Sequence, residues 1–256
     1  MTPGEQDAPG GRTVTSKALA LLAAFETSPG PLSLTQLAER ADLPLPTAHR
    51  LVAELAGWGA LERDEQGRYA VGLRLWEIAQ NAQRELRDAA RPYLQDLFSL
   101  TQETAHLAVR EGHEALYIDR IYSSKRVPRA SRVGGRLPLH ATAVGKVLLA
   151  FEEPWVRDAY VARDLEAPTR QTHVNPTRLL SELDGIREQG YATTHEEVRP
   201  GSCSIAVPVD GGDGRVRASI GLVMLSTQSD RMVRYLPTLR GVAARIAPAV
   251  SRWRAP

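Results

Sequence analysis

The chain has one cysteine, Cys203, in 256 residues. A single thiol excludes an internal disulfide framework and any zinc site built from several cysteines. No apolar run approaches the roughly 18 residues that cross a bilayer. The opening MTPGEQDAPGGR has no hydrophobic segment of the kind that directs secretion. A cytoplasmic globular protein without membrane contact is expected, with residues 1–11 as a disordered tail. Enzyme signatures are missing too: there is no GxSxG elbow, no P-loop and no dinucleotide fingerprint. Ser202, Ser204, His140 and Glu197 are the only candidates for a hydrolytic site, so neither catalysis nor a cofactor is expected.

What is present begins with residues 34–55, LTQLAERADLPLPTAHRLVAEL. Leu34, Leu37 and Ala38 fall on one helical face, and Ala48, Leu51 and Leu55 on one face of a second helix. Between them, Asp42 tolerates left-handed backbone angles. Pro44 biases Leu43 away from helix, and Pro46 suits a first helical turn. Ala38 is small enough for the helices to cross closely. The second helix presents Thr47, His49 and Arg50 beside its N-terminus, where a recognition helix meets base edges and phosphates. A helix over 16–26, capped by Thr15 or Ser16, is predicted before this pair. Ser33 caps the next helix, and the third, over 45–56, ends at Gly57 and Gly59. Residues 60–63 and 68–71, around the turn Asp64–Gly67, read as a β-hairpin. Residues 12–72 thus form a winged helix-turn-helix.

That segment lacks a basic surplus. Arg12, Lys17, Arg40, Arg50, Arg63 and Arg68 face seven acids: Glu26, Glu39, Asp42, Glu54, Glu62, Asp64 and Glu65. Phosphate neutralisation supplies most nonspecific DNA affinity, so one copy is expected to bind weakly and two or more copies to act together. The same balance leaves open a winged domain that contacts protein instead.

Gly72 opens a helical stretch in which Leu75, Ile78, Ala79, Ala82 and Leu86 recur at helical spacing. Pro92 interrupts it, and Leu94, Leu97, Phe98 and Thr101 resume it. The stretch suits a linker and dimer seam, or packing onto its own domain. From Glu103 the period becomes two, with Ala105, Leu107 and Val109 on one strand and Leu116 and Ile118 on the next. Helices over 141–151, 154–162, 176–189 and 229–253, with strands over 191–197, 203–209 and 215–225, complete an α+β domain.

The late strands can be read by parity. Cys203, Ile205, Val207 and Val209 make one apolar face, and Val216, Ala218, Ile220, Leu222 and Met224 another. Both suit a helix-covered core, which places Cys203 inside. The opposite faces carry Ser202, Ser204, Ala206, Ser219, Gly221 and Val223. Small residues with hydroxyls leave a concavity suited to a small ligand. His140, His195 and Glu196 invite a metal reading, but no spacing matches a zinc signature, and no metal is expected. Arg120, Lys125, Arg126, Arg129, Arg132, Arg136 and Lys146 follow one another with no acid between. They read as a solvated loop and domain interface, or as an attractor of an anionic effector or of DNA.

Four stretches, LPLPTAHRL, GRYAVGLRL, SRVGGRLPLHATAVGKVLLA and REQGYATTHEEVRPGSCSIAVPV, together resemble the isocitrate-lyase-regulator (IclR) family of bacterial transcription factors, from about residue 14 onward. The resemblance implies a DNA-binding domain over 12–72, a linker helix over 73–88 and a GAF-like effector-binding domain over 89–256. It implies dimers or tetramers on double-stranded operator DNA, acting as repressor or activator under a small-molecule effector, often an organic or aromatic acid. Thr47 and Arg50 take the recognition positions, His49 between them faces either DNA or the wing, Lys17 and Ser33 look like backbone contacts, and Arg68 on the wing is within reach of a phosphate. Leu45 departs from the usual polar residue, and Asp42 replaces a usual glycine. The effector pocket adds Ala143, Val144 and Thr194 to Ser202, Ser204, Gly221 and Val223, with Leu137 and Leu139 closing it.

Overall fold

The computed structural model describes residues 12–28, 30–81, 84–125, 127 and 132–252. The expected tail at 1–11, and Ala82, Arg126 and Arg129, lie outside those residues. The chain divides into two compact units between residues 82 and 83.

The first unit holds α1 (Val14–Ala23), α2 (Leu34–Arg40), α3 (Leu45–Trp58), β1 (Leu61–Arg63), β2 (Tyr69–Val71) and α4 (Leu73–Asn81). Helix α1 starts two residues earlier than its apolar stripe suggests, because the cap is Thr13: its Oγ1 accepts from Ser16 N at 3.1 Å. Helix α2 opens on a capping box. Ser33 Oγ accepts from Gln36 N at 3.2 Å, and Gln36 Oε1 accepts from Ser33 N at 2.9 Å. In the turn, Asp42 adopts φ 52° and Leu43 N donates to Ala38 O at 2.9 Å. Helix α3 runs through Gly57 and ends at Gly59, whose φ of 86° makes the left-handed cap. Leu21, Leu37, Ala48, Leu51, Val52 and Leu61 are buried together as the core. Tyr69 and Leu32 exchange two backbone hydrogen bonds, of 2.7 and 2.8 Å, which fasten the hairpin to the segment before α2.

The second unit contains α5 (Arg84–Thr101), β3 (Thr104–Glu111), β4 (Glu114–Ile121), β5 (Arg136–Pro138), α6 (Ala143–Ala150), α7 (Pro154–Val161), α8 (Pro176–Gln189), β6 (Ala192–His195), β7 (Ser202–Asp210), β8 (Val216–Leu225) and α9 (Leu236–Arg252). The strands form one antiparallel sheet in the order β5-β4-β3-β8-β7-β6. Helices α5 and α9 cover one face, and α6, α7 and α8 pack on the other. Helix α5 continues through Pro92. A proline inside a helix costs about 3 kcal/mol, and four fully buried side chains, Leu86, Ala90, Leu94 and Leu97, offset it by packing on the sheet. Leu86 therefore belongs to this unit's own core.

The apolar parity of β7 and β8 is observed for Cys203, Ile205, Val207, Val209, Ala218, Ile220, Leu222 and Met224, which share the core under α5 and α9, but not for Val216, which packs on the other face after a register shift between Val209 and Asp210. Two other features depart from expectation. Strand β5 is a short edge strand that periodicity did not mark. The closing helix starts at Leu236, after 3-10 turns over Ser226–Tyr235. Among the described residues, no helix is long and apolar enough to cross a membrane.

Helix α6 is buried along its whole length. Thr142 caps it, with Oγ1 accepting from Gly145 N at 3.1 Å, and a 3-10 turn, Leu139–Ala141, precedes it. A Cβ on Gly145 would stand 2.4 Å from Leu139 O and 2.5 Å from Thr142 Oγ1. Backbone and cap must both move to admit a methyl group. Gly145→Ala is therefore expected to cost about 3 kcal/mol of unfolding free energy, measured by urea denaturation, with a loss under about 0.5 kcal/mol counting against this packing.

Candidate functional site

Two places collect the residues singled out in the sequence. In the first unit, α3 places Thr47 half-buried and His49 and Arg50 exposed, with Leu45 48% exposed at its start. Pro44 is the N-cap and makes no side-chain cap hydrogen bond, so the first-turn N–H groups face outward.

The cations around α3 divide into two sets. Arg12 donates to Ala41 O at 2.7 Å and Arg40 to Ala24 O at 3.0 Å. Arg63 donates to Gly67 O and lies over the Tyr69 ring. Arg68, expected to grip phosphate, is drawn to Asp64 at 2.9 Å. Among the described residues Arg50 and Lys17 make no ion pair or hydrogen bond through their side chains. Ser33 Oγ accepts within its capping box, which leaves the hydroxyl proton free to donate outward.

In the second unit, a cavity of about 40 Å³ lies on the sheet face below α6. Leu137, Ala143, Val144, Thr194, Ser202, Ser204 and Val223 line it as expected. Thr194 and Ser204, paired across β6 and β7, join hydroxyls at 2.5 Å. Two expected residues do not line it. Leu139 turns with its 3-10 segment into the apolar cluster of α6, α7 and α8. The space over Gly221 is filled: a Cβ there would lie 2.9 Å from His106 Nε2.

His106, Tyr117, Arg120, Thr142, Glu197, Val198 and Cys203 complete the lining. His106 follows from the period-two pattern of β3, since it alternates with Ala105 and Leu107. Arg120 does not follow from such a pattern. A register shift between Leu107 and Ala108 lets Tyr117 pair with Ala108 while Arg120 pairs with His106. This bulge turns two residues three apart onto one face. His106 and Arg120 are 2% and 5% exposed, and the His106 Nδ1 has no hydrogen-bond partner among the described residues.

Beside the cavity, next to the lining residue Glu197, the fully buried Lys146 sets its ammonium 2.6 Å from Glu182 Oε1 and 2.9 Å from Glu197 Oε1. Glu182 also meets His173 Nδ1 at 2.8 Å. His173, Glu182 and Glu197 converge as metal ligands do, but the Lys146 ammonium already supplies the cation between the two carboxylates. The proposed trio His140, His195 and Glu196 does not assemble. His140 Nε2 donates to Glu166 O at 2.8 Å, so Nδ1 accepts from the Tyr160 hydroxyl at 2.8 Å. Glu196 accepts from Gly201 N at 2.9 Å. Cys203 is buried on the core side, and burial pushes its thiol up to about 11. The basic stretch is partly internal: Lys125 pairs with Glu103, Arg136 with Glu111, and Lys146 and Arg120 are buried.

Burial, with the charge of Arg120 beside it, lowers His106 to about 3 from an ordinary value of 6.5. Below pH 6.5 the unfolded chain binds a proton that the folded chain refuses until about pH 3. This group's stabilising contribution therefore falls with pH across that window, by up to about 1.4 kcal/mol per pH unit. His106→Gln should flatten the loss of stability between about pH 6 and pH 4, followed by urea denaturation at several pH values. An unchanged slope would place the acid-sensitive group elsewhere.

Comparison with known proteins agrees with this geometry. The family model for the IclR helix-turn-helix domain matches residues 14–65, and the model for the bacterial transcriptional regulator IclR C-terminal domain matches residues 79–251. The HTH-type transcriptional regulator XynR of Escherichia coli is 33% identical over 222 residues, covering 84% of this chain and 86% of its own. The HTH-type transcriptional repressor AllR of the same species is 30% identical over 256 residues, covering 97% and 94%. The crystal structure of an IclR homologue from Microbacterium hydrocarbonoxydans, complexed with 4-hydroxybenzoate, superposes with a TM-score of 0.87 at 29% identity, covering 94% of this chain and all of that one. These relatives are transcriptional regulators rather than enzymes, and with both domain models matched in order this chain belongs to the IclR family of DNA-binding transcriptional regulators.

Proposed function

We propose that this regulator binds promoter operators through α3 and the wing, and that a small organic or aromatic acid in the second unit's cavity controls that binding. Residues 12–72 contact DNA, 73–88 link, and 89–256 sense. Thr47, His49 and Arg50 meet base edges, while Lys17, Ser33 and Arg68 meet the backbone. The observation that carries this is Arg50: exposed beside the N-terminus of α3, it is uncommitted among the described residues while most cations near it are engaged. Arginine there pairs bidentately with guanine or grips phosphate.

The protein acts as a homodimer or a tetramer in the cytoplasm. The charge balance of residues 12–72 supports several copies, because few phosphates are neutralised per copy. Leu73 and Trp76, three residues apart on α4, are 66% and 61% exposed and offer an apolar face to another chain. The acid class draws support from the buried Arg120 and from the first turn of α6. There the Ala143 and Val144 N–H groups have no helical partner and favour an anion. It also draws support from the 4-hydroxybenzoate held by the Microbacterium homologue. The effector changes DNA binding only if it favours one arrangement of the chains over another.

A gel-shift assay against the DNA upstream of the protein's own gene tests the interface. Arg50→Ala should weaken binding by between about fivefold and about 150-fold, and unchanged binding would move the recognition surface off α3. A thermal-shift screen of small carboxylates and aromatic acids should find at least one that raises the melting temperature. A screen in which none does so would exclude an acid effector.

A further inference from the structure

We propose that His106 and Arg120, from neighbouring strands β3 and β4, form the carboxylate-binding end of the cavity. The proposal rests on the acid-effector reading and names the residues that recognise the acid.

Three observations carry it. First, His106 and Arg120 are direct cross-strand partners on the cavity face, and paired residues hold their Cβ atoms about 5 Å apart. Both are at least 95% buried, His106 at 2% and Arg120 at 5% exposure. Second, His106 Nδ1 is buried with no hydrogen-bond partner among the described residues. A buried polar atom without a partner costs free energy unless something supplies the bond. Third, the ring is held in place by its neighbours on the cavity face. It leans over Gly221, where a Cβ would stand 2.9 Å from Nε2, and lies 5.2 Å from the Tyr117 ring at 59°.

The chemistry follows from these positions. A neutral imidazole has one N–H to donate, and the guanidinium beside it brings a positive charge and further donors. A carboxylate takes both kinds of bond, whereas a primary amide of the same shape offers one neutral acceptor and no charge. The acid on the cavity wall, Glu197, is already held by Lys146 at 2.9 Å. Thr194 and Ser204, whose hydroxyls meet at 2.5 Å, serve the remaining polar part of the ligand.

Calorimetric titration of the full-length protein with two acid–amide pairs, 4-hydroxybenzoate with 4-hydroxybenzamide and benzoate with benzamide, tests the assignment. At least one acid should bind about tenfold or more tightly than its amide. Arg120→Gln should bring acid and amide within about threefold of each other, and Arg120→Lys, which keeps the charge, should retain most of the preference. His106→Leu should weaken the acid by about tenfold, and His106→Gln by less. The wild-type ratio and the two conservative variants decide the matter even if Arg120→Gln or His106→Leu does not fold. Equal binding of acid and amide, or a preference that survives Arg120→Gln, would overturn the assignment while leaving an acid effector in place. The second result would move the carboxylate to the first turn of α6. Binding of no acid would overturn the assignment and the acid-effector reading together.

Discussion

The second unit depends on one buried contact, the Lys146 ammonium between Glu197 and Glu182. Lys146 stands on α6, Glu182 on α8, and Glu197 beyond β6. The three charges fix a helix, a second helix and a sheet edge to one point beside the cavity. Taking an ammonium out of water costs several kcal/mol, so the arrangement persists only because two carboxylates face it, one of them also held by His173. Its net contribution to stability is small for that reason. Its effect is on geometry: with α6 pinned, the first turn at Ala143 and Val144 keeps its place over the sheet. A lone ammonium could not be replaced by a neutral side chain without leaving two acids unmatched.

The first unit solves a different electrostatic problem. Seven acids and six bases give it no attraction for DNA as a whole. The fold redistributes those charges. Arg12 and Arg40 are spent on carbonyl groups at the ends of helices, and Arg68 on Asp64 in the wing turn. What remains for a partner is local: Arg50, Lys17, the exposed end of Arg68 beyond its Nε bond to Asp64, a serine hydroxyl and the uncapped first turn of α3. A surface of that kind gains little from phosphate neutralisation and must draw its discrimination from placement. Several copies bound together would then supply the affinity that one copy lacks.

Much of this was legible in the residues. The turn at Asp42 to Pro46, the wing around Asp64–Gly67, and the parity of β7 and β8 all follow from local preference and period. Seven of the nine residues expected around the cavity line it. The misses have identifiable causes. Helix α1 begins early because Thr13 caps better than its neighbours, and capping depends on backbone angles that a pattern does not carry. Pro92 did not break α5, because tertiary packing outweighed a local penalty. Gly221 was read as empty space, but a neighbouring strand's imidazole fills it. Arg120 was hidden by a bulge, since one extra residue in β4 reverses the parity on which such a reading depends. Lys146 looked like part of an exposed basic run until Glu182 and Glu197, far along the chain, came to meet it.

The size of the cavity sets a condition on how the protein responds. About 40 Å³ admits water, whereas a cavity known to bind benzene measures about 150 Å³. A ring-sized acid therefore enters only if part of the wall gives way. The α6 side of the wall, at Ala143 and Val144, is held in place by the Lys146 contacts with Glu182 and Glu197. Arg120 has the longest side chain in the wall, Leu137 stands on the three-residue edge strand β5, and Val198 on the segment after β6. Occupied and empty forms must then differ in shape near β4, β5 and the segment after β6. A difference of that kind is what an effector needs, because a ligand that fits both forms equally shifts no equilibrium however tightly it binds.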